Sequence, residues 1–258
     1  MPSLPTWSRS LGPLVLADLR RRYAGSVLGG LWAVLAPLLE VTAYALVFGW
    51  ILETVRGPGM PYTVLIASGL FPWMWFREAI EGCSTLLPDN RWLRRSRVPA
   101  ELLVLRLVLS SSVRALVGLL VVFGYAAVSG SGTSIEGWLS PFAALLLQAV
   151  TAYGLGLLVA PVATLVPDSR PSLVSILTLL TFASPILYPE SIVAGPLQSL
   201  LLWNPFTHLL HLYRSPIEPV ALTSLSLSWA VATGAAAASL AAGMAARRRL
   251  WWRARDLL

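Results

Sequence analysis

The sequence predicts an all-α integral membrane protein: six transmembrane helices, an N-terminal amphipathic helix in the membrane interface, and short re-entrant helices between spans five and six. Three observations lead there. Of the 258 residues, 56% are hydrophobic and only 12% are charged, against about 25% charged in a soluble domain. The apolar residues fall in long runs, and a helix crosses the hydrocarbon core with about 20 of them. The basic residues crowd into alternate gaps between those runs, as the orientation of a multi-pass protein requires.

Residues 1–26 come first. Trp7, Leu11, Val15, Leu19 and Tyr23 recur every four residues, with Arg20, Arg21 and Arg22 near the end. An apolar stripe of that kind beside basic residues suits a helix lying in the interface. The spans follow over residues 27–246: Val27–Leu52, Tyr62–Leu87, Leu102–Val128, Trp138–Val166, Ser172–Tyr188 and Leu222–Ala246. The first is too long for a signal peptide and lacks a small-residue cleavage site. The fifth is short, with Pro185 near its end. Between spans five and six, Pro196–Trp203 and Phe206–Tyr213 are short apolar pieces divided by Asn204-Pro205. Asn204 suits an N-cap and Pro205 the first helical position, so two half-helices dipping into the membrane fit the pattern. Residues 247–258 form a basic tail. No internal repeat divides the chain, which reads as one membrane domain.

Arginine sets the orientation. Arg9 and Arg20–Arg22 precede span one. Arg91, Arg94, Arg95 and Arg97 lie between spans two and three, and Arg170 lies between four and five. Arg247–Arg249, Arg253 and Arg255 follow span six; the opposite loops hold only Arg56 and Arg214. The positive-inside rule then puts both termini in the cytoplasm. Trp50, Trp138, Trp251 and Trp252 sit near span ends as interfacial anchors.

Composition also excludes functions. Every basic residue is Arg and no Lys is present. A P-loop needs Lys to reach the β- and γ-phosphates, so the chain has no Walker A site, and a Lys Schiff base is excluded too. Cys83 is the only cysteine, which rules out an intrachain disulfide and a Cys-built metal cluster. His208 and His211 have no acidic neighbour in sequence, so ordinary polar packing is expected and no metal. The net charge of +7 flanks apolar spans instead of forming a nucleic-acid face.

Several strings resemble one family. Arg22-Tyr23-Ala24-Gly25-Ser26-Val27-Leu28-Gly29-Gly30-Leu31-Trp32, followed by Pro37, looks like the approach to span one in ABC-2-type polysaccharide permeases. Gly69-Leu70-Phe71-Pro72-Trp73, Arg97-Val98-Pro99-Ala100-Glu101, Pro167-Asp168-Ser169-Arg170, Ser184-Pro185-Ile186-Leu187-Tyr188-Pro189 and Trp203-Asn204-Pro205-Phe206 resemble later family motifs, in the right order over nearly the whole chain. The family's usual Phe-Arg-Asp reads Val166-Pro167-Asp168 here. The resemblance implies a bacterial cytoplasmic (inner) membrane exporter of lipid-linked O-antigen, teichoic acid or capsular polysaccharide. It implies two copies of this chain with two ABC ATPase subunits, and ATP and Mg bound by those partners, with no cofactor on this chain. It also makes Asp89, Arg91, Trp92, Leu93, Arg94 and Arg95 the helix that couples to the ATPase, with Trp92 and Leu93 as apolar anchors. The residues themselves suit a short cytoplasmic helix capped by Asp89 or Asn90; a loop held at anionic headgroups by its Arg is the other reading.

Glu40, Tyr44 and Phe48 share one face of span one at i, i+4 and i+8. A carboxylate at mid-span faces a cavity, the bundle interior or a partner, and aromatic rings stack on the apolar faces of sugars. The stripe reads as channel lining; packing with Glu40 paired to Arg114 is the other reading. Trp73, Trp75 and Phe76 cluster in span two, where Trp73 and Phe76 extend the same belt or face helix or lipid. Glu78 or Glu81 with Arg106 makes an ion pair, as a gate or as structure. A small-molecule, lipid or peptide exporter of the same type competes with the polysaccharide reading. An ion-coupled secondary transporter predicts carboxylate relays and repeat symmetry, of which the sequence offers only Glu40.

Overall fold

The computed structural model describes residues 4–22, 24–44, 46–47, 62–89, 98–129, 135–193, 195–217 and 223–257. The described residues are helical, with no strand among them. In chain order they form α1 (Leu4–Arg22), α2 (Trp32–Tyr44, after the 3-10 turn Gly29–Leu31), α3 (Tyr62–Thr85), α4 (Ala100–Ser111), α5 (Val113–Ser129) and α6 (Ile135–Leu165). These are followed by α7 (Ser169–Phe182), α8 (Pro196–Trp203), α9 (Pro205–Arg214), α10 (Leu225–Arg249) and α11 (Trp251–Asp256).

Three stretches are long and apolar enough to cross a membrane: Glu101–Tyr125, which runs through α4 and α5, Leu139–Leu165 in α6, and α10 itself. The helices of spans one and five are apolar but shorter. For span five the cause is local. Pro185 has no N–H and disfavours helix at Ser184 before it, so α7 stops at Phe182 with Ala183 as its cap, six residues before the expected Tyr188. Span three breaks at Ser112, between α4 and α5, where sequence alone suggested one helix. Ser110, Ser111 and Ser112 each bond back to carbonyls of the preceding turn, a habit that bends helices. Trp75 of α3 donates to the Val108 carbonyl, one turn before the break, at 3.0 Å.

The buried centre is α3, whose residues Val64–Trp73 are all buried. It packs on α5 and α6, and α6 in turn packs most extensively on α10. The α6–α10 seam is made of small residues. Ser228, Ala232, Ala236, Ser239, Gly243 and Ala246 recur every three or four positions along the buried face of α10, which lets two backbones approach closely. The approach is closest at Gly154 and Gly243: a Cβ on Gly243 would collide with the Gly154 carbonyl, and one on Gly154 with the Ser239 backbone. Deep in the bundle, Gln148 of α6 donates to the Pro72 carbonyl at 2.7 Å and accepts from Tyr213 at 2.9 Å, joining α3, α6 and α9.

Contacts sort into two ends. At one, Glu101 opening α4 pairs with Arg247 closing α10, and Trp251 donates to the Leu157 carbonyl at 2.8 Å. At the other, Tyr62 donates to the Leu187 carbonyl at 2.7 Å, and Ser140 to Leu212 at 3.0 Å. This second end also holds α8 and α9, helices at the two positions the sequence assigned to half-helices. Asn204 caps α9 as expected, its side-chain oxygen accepting from Phe206 N at 2.9 Å, with Pro205 as the first helical residue. Its amide nitrogen donates to Ser184 Oγ at 2.7 Å, tying the cap to the end of α7. Every residue of α9 from Phe206 to Arg214 is buried.

The Gly154–Gly243 contact leaves no room for a side chain. Gly243→Val should lower stability by at least the ~1–3 kcal/mol typical of overpacking. The loss is read as a reduced melting midpoint and yield in detergent, while Gly234→Val, whose Cβ meets nothing within 4 Å, should show neither.

Candidate functional site

A cavity of about 720 Å³ lies between α2, α3, α4 and α7. Its walls include Glu40 and Tyr44 from α2, Trp73, Arg77, Glu78 and Glu81 from α3, Leu107 and Ser111 from α4, and Thr181 from α7. The structure thus brings together two groups that the sequence had kept apart, part of the aromatic stripe and part of the charged set. Helical periodicity explains the α3 contribution: Trp73, Arg77 and Glu81 follow one another at i, i+4 and i+8 and share a face.

Trp73 is both wall and frame. It is buried, donates to Thr181 Oγ1 at 2.8 Å, and meets Phe206 edge to face with centroids 4.8 Å apart. Phe76 stands behind it in the core, stacked on Trp73 at 5.8 Å, away from the cavity walls. Trp75 is wholly in the core. Phe48 lies outside the described residues, as do Arg91, Trp92, Leu93, Arg94 and Arg95. Asp89 is described: its amide donates to Thr85 O at 3.0 Å in the turn that ends α3.

The charges pair differently from expectation. Arg77 Nε meets Glu81 Oε1 at 2.7 Å, one turn apart on the same helix, so Glu81 finds its cation locally. Arg106 turns to Asp18 of α1 at 3.7 Å, instead of to Glu78 or Glu81. Ser110 donates to the same Asp18 carboxylate at 2.9 Å, and α1 packs along α4. Apolar spacing in residues 1–26 gives no sign of this role for Asp18, the one acidic residue in that segment.

A second polar cluster was missed because its members are distant in sequence. His211 Nε2 lies 2.5 Å from Glu190 Oε1, and His208 Nε2 donates to the Leu202 carbonyl at 2.9 Å. Both Nδ1 atoms face Ser228 Oγ, at 3.2 and 3.0 Å. The cluster fastens the Glu190–Ile192 turn and α9 to the start of α10. Among the described residues no group of three or more His, Cys, Asp or Glu side chains is placed to hold a metal ion.

Replacing Thr181 by Val keeps shape and removes the acceptor of a buried indole N–H. An unmade buried hydrogen bond costs ~1–3 kcal/mol, so Thr181→Val should melt earlier in detergent. Thr178→Val, whose exposed hydroxyl bonds only its own helix, should melt as the unaltered protein does.

No family model matches the chain. Relatives are nonetheless found over most of its length. It is 28% identical over 234 residues to the O-antigen export system permease protein RfbA of Myxococcus xanthus, covering 85% of this chain and 88% of that one. It is 25% identical over 200 residues to the protein of the same name from Klebsiella pneumoniae, covering 76% and 75%. It is 26% identical over 208 residues to the polysialic acid transport protein KpsM of Escherichia coli, covering 80% of each. The chain is a homologue of these O-antigen export and polysialic acid transport proteins, alike along three quarters or more of both lengths.

Proposed function

We propose that this chain is the channel-forming permease subunit of an ATP-driven bacterial exporter that carries lipid-linked polysaccharide across the cytoplasmic membrane. The observation that carries this is the likeness to O-antigen and polysialic acid permease proteins along three quarters or more of both chains. The geometry adds a fitting site: an elongated glycan needs apolar ring faces for its CH surfaces and polar groups for its hydroxyls, and the cavity offers Tyr44 and Trp73 beside Glu40, Arg77, Glu78 and Glu81.

The finer architecture belongs to the same proposal. The chain crosses the membrane six times as a single domain, with both termini in the cytoplasm, supported by the side on which its Arg accumulate. The end that joins Glu101 to Arg247 is then cytoplasmic. The end holding α8 and α9 is extracytoplasmic, and those two helices dip back into the membrane. Non-helical backbone at that depth needs protein cover, which the Asn204 contacts to Ala183 O and Ser184 Oγ supply. Two copies of the chain assemble with two ATPase subunits, which bind ATP and Mg, because a chain without Lys has no P-loop of its own.

Hydrolysis on the partner reaches the spans through the segment from Asp89 to Arg95. Trp92 and Leu93 are its apolar anchors, and central apolar or aromatic anchors dominate most interfaces. In cells that also make the partner ATPase, Trp92→Ala with Leu93→Ala should reduce ATPase recovered with the permease, each anchor being worth on the order of 2 kcal/mol. Glycan at the cell surface should fall with it, while permease in the membrane fraction stays constant. Unchanged recovery together with unchanged surface glycan would contradict the assignment.

A further inference from the structure

We propose that Asp18 is a positioning residue for export: through it, movement of α4 reaches α1 and, through α1, the cavity wall on α2. The proposal rests on the exporter reading above and adds to it a route from the motor to the cargo.

The route begins at α4. This short helix opens at Ala100, shortly after the segment from Asp89 to Arg95 that the exporter reading gives to the ATPase. Ion pairs grip it at two heights. Glu101, in its first turn, pairs with Arg247 of α10, and α10 belongs to the tight α6–α10 pair closed at Gly154 and Gly243. Toward the other end, Arg106 meets Asp18 of α1 at 3.7 Å. The helix then breaks at Ser112. A lever held at one end by a fixed scaffold, and broken from its continuation at the other, moves most near the break. That is where Asp18 holds it.

The grip fixes a register. Asp18 Oδ1 faces the Arg106 guanidinium, and Oδ2 accepts from Ser110 Oγ at 2.9 Å. Arg106 and Ser110 stand one turn apart on the same face of α4, so one carboxylate spans two points and opposes sliding or turning of α1. The apolar contacts of α1 set no such register. Leu11, Leu14, Val15 and Leu19 are half-buried on the side of α1 that holds Asp18, and their packing is non-directional. Arg106 depends on the carboxylate in turn. Its side chain is 20% exposed, its Nε is buried without a hydrogen-bond partner, and losing Asp18 would leave its charge uncompensated.

From α1 the chain passes to α2 through a folded link. The 3-10 turn Gly29–Leu31 packs against both helices. Within the link, Gly29 N–H bonds Ser26 O at 3.1 Å and Leu31 N–H bonds Leu28 O at 3.0 Å. α2 is lightly held by its own chain: none of its described side chains is buried. It carries Glu40 and Tyr44 to the cavity. Displacement of α1 therefore shifts that wall while α6 and α10 stay in place.

The test uses the full chain with its ATPase partner, in the source bacterium and as purified complex in nanodiscs. Export is read as total surface carbohydrate in cells lacking the chromosomal copy, and hydrolysis as phosphate released, each per assembled complex. Asp18→Asn keeps an acceptor for Ser110 and removes the charge. It should lower export relative to hydrolysis by at least about fivefold, the low end of coupling between separate sites. Asp18→Glu, which keeps a carboxylate, should retain most of the coupling. A role in folding alone predicts fewer complexes with an unchanged ratio. A second measurement leaves the ion pair intact. On a Cys83→Ala background, spin labels at Leu16 and Leu109 report α1 against α4, and labels at Leu16 and Leu146 report α1 against α6; all three positions are exposed. Labelled chain is diluted into unlabelled chain, so that one labelled copy is read at a time. Between nucleotide-free complex and complex trapped with ATP, the first distance should hold and the second should change. An unchanged ratio in Asp18→Asn, an equal loss in Asp18→Glu, a first distance that changes as much as the second, or a second distance that stays fixed would each overturn the proposal. If cells lacking the chain keep their surface carbohydrate, the exporter reading itself falls and the proposal with it.

Discussion

Hydrocarbon offers no hydrogen bonds, and that constraint shapes nearly every feature of this chain. A backbone group left unpaired in an apolar medium costs several kcal/mol, so spanning segments become helices, in which each N–H is paired within its own segment. Side chains obey the same rule. Thr151 and Thr164 turn their hydroxyls onto carbonyls one turn back, at 2.8 and 2.9 Å. Gln148 uses both ends of its amide, on Pro72 and Tyr213. Arg214, buried at the end of α9, reaches Ser68 Oγ at 3.1 Å and the Leu65 carbonyl at 3.2 Å. These bonds are directional, so they fix the rotation of each helix as well as its existence.

Helices that satisfy themselves have little reason to associate in lipid except close packing. The α6–α10 seam supplies it through glycine, alanine and serine, and the two helices meet backbone to backbone at Gly154 and Gly243. That tight pair, with α5 and α9, covers one side of α3. The other side of α3 faces α2, α4 and α7 across a cavity, where Glu40, Arg77, Glu78 and Glu81 collect. The same helix therefore serves as core along Val64–Phe71 and as site wall from Trp73 to Glu81. Its charged second half keeps it from the apolarity of a typical span; protein covers its first half, and the cavity takes its charges.

Much of this was legible in sequence. The all-helical class, the positions of α6 and α10, and the Asn204-Pro205 start of α9 all follow from local rules: apolar run length, cap preference and proline placement. Glu40 and Tyr44 share a face by simple periodicity, and both line the cavity. What could not be read was anything set by contact between distant segments. Sequence position pointed Arg106 toward the acidic residues of α3, and it is the packing of α1 along α4 that brings it to Asp18 instead. Glu190 meets His211 because the turn after α7 folds over α9, a proximity no spacing encodes. Phe76 and Trp73 are three residues apart and look equivalent as letters; both pack against the Phe206 ring in the core, yet of the two Trp73 is the one that also lines the cavity. The break in span three had a visible signal, three consecutive hydroxyls in an apolar run, each of which bonds back to a carbonyl of its own helix.

The central claim is that sugar passes beside α2 and the second half of α3. A photo-crosslinking amino acid placed at Tyr44 in cells exporting glycan addresses it directly, with the same amino acid at Leu146, exposed on the outer face of α6, as the comparison. The account predicts glycan attached to the Tyr44 position in actively exporting cells and lost when the ATPase is inactivated, with none at Leu146. Glycan absent from Tyr44 during demonstrated export, or attached equally at Leu146, would contradict it.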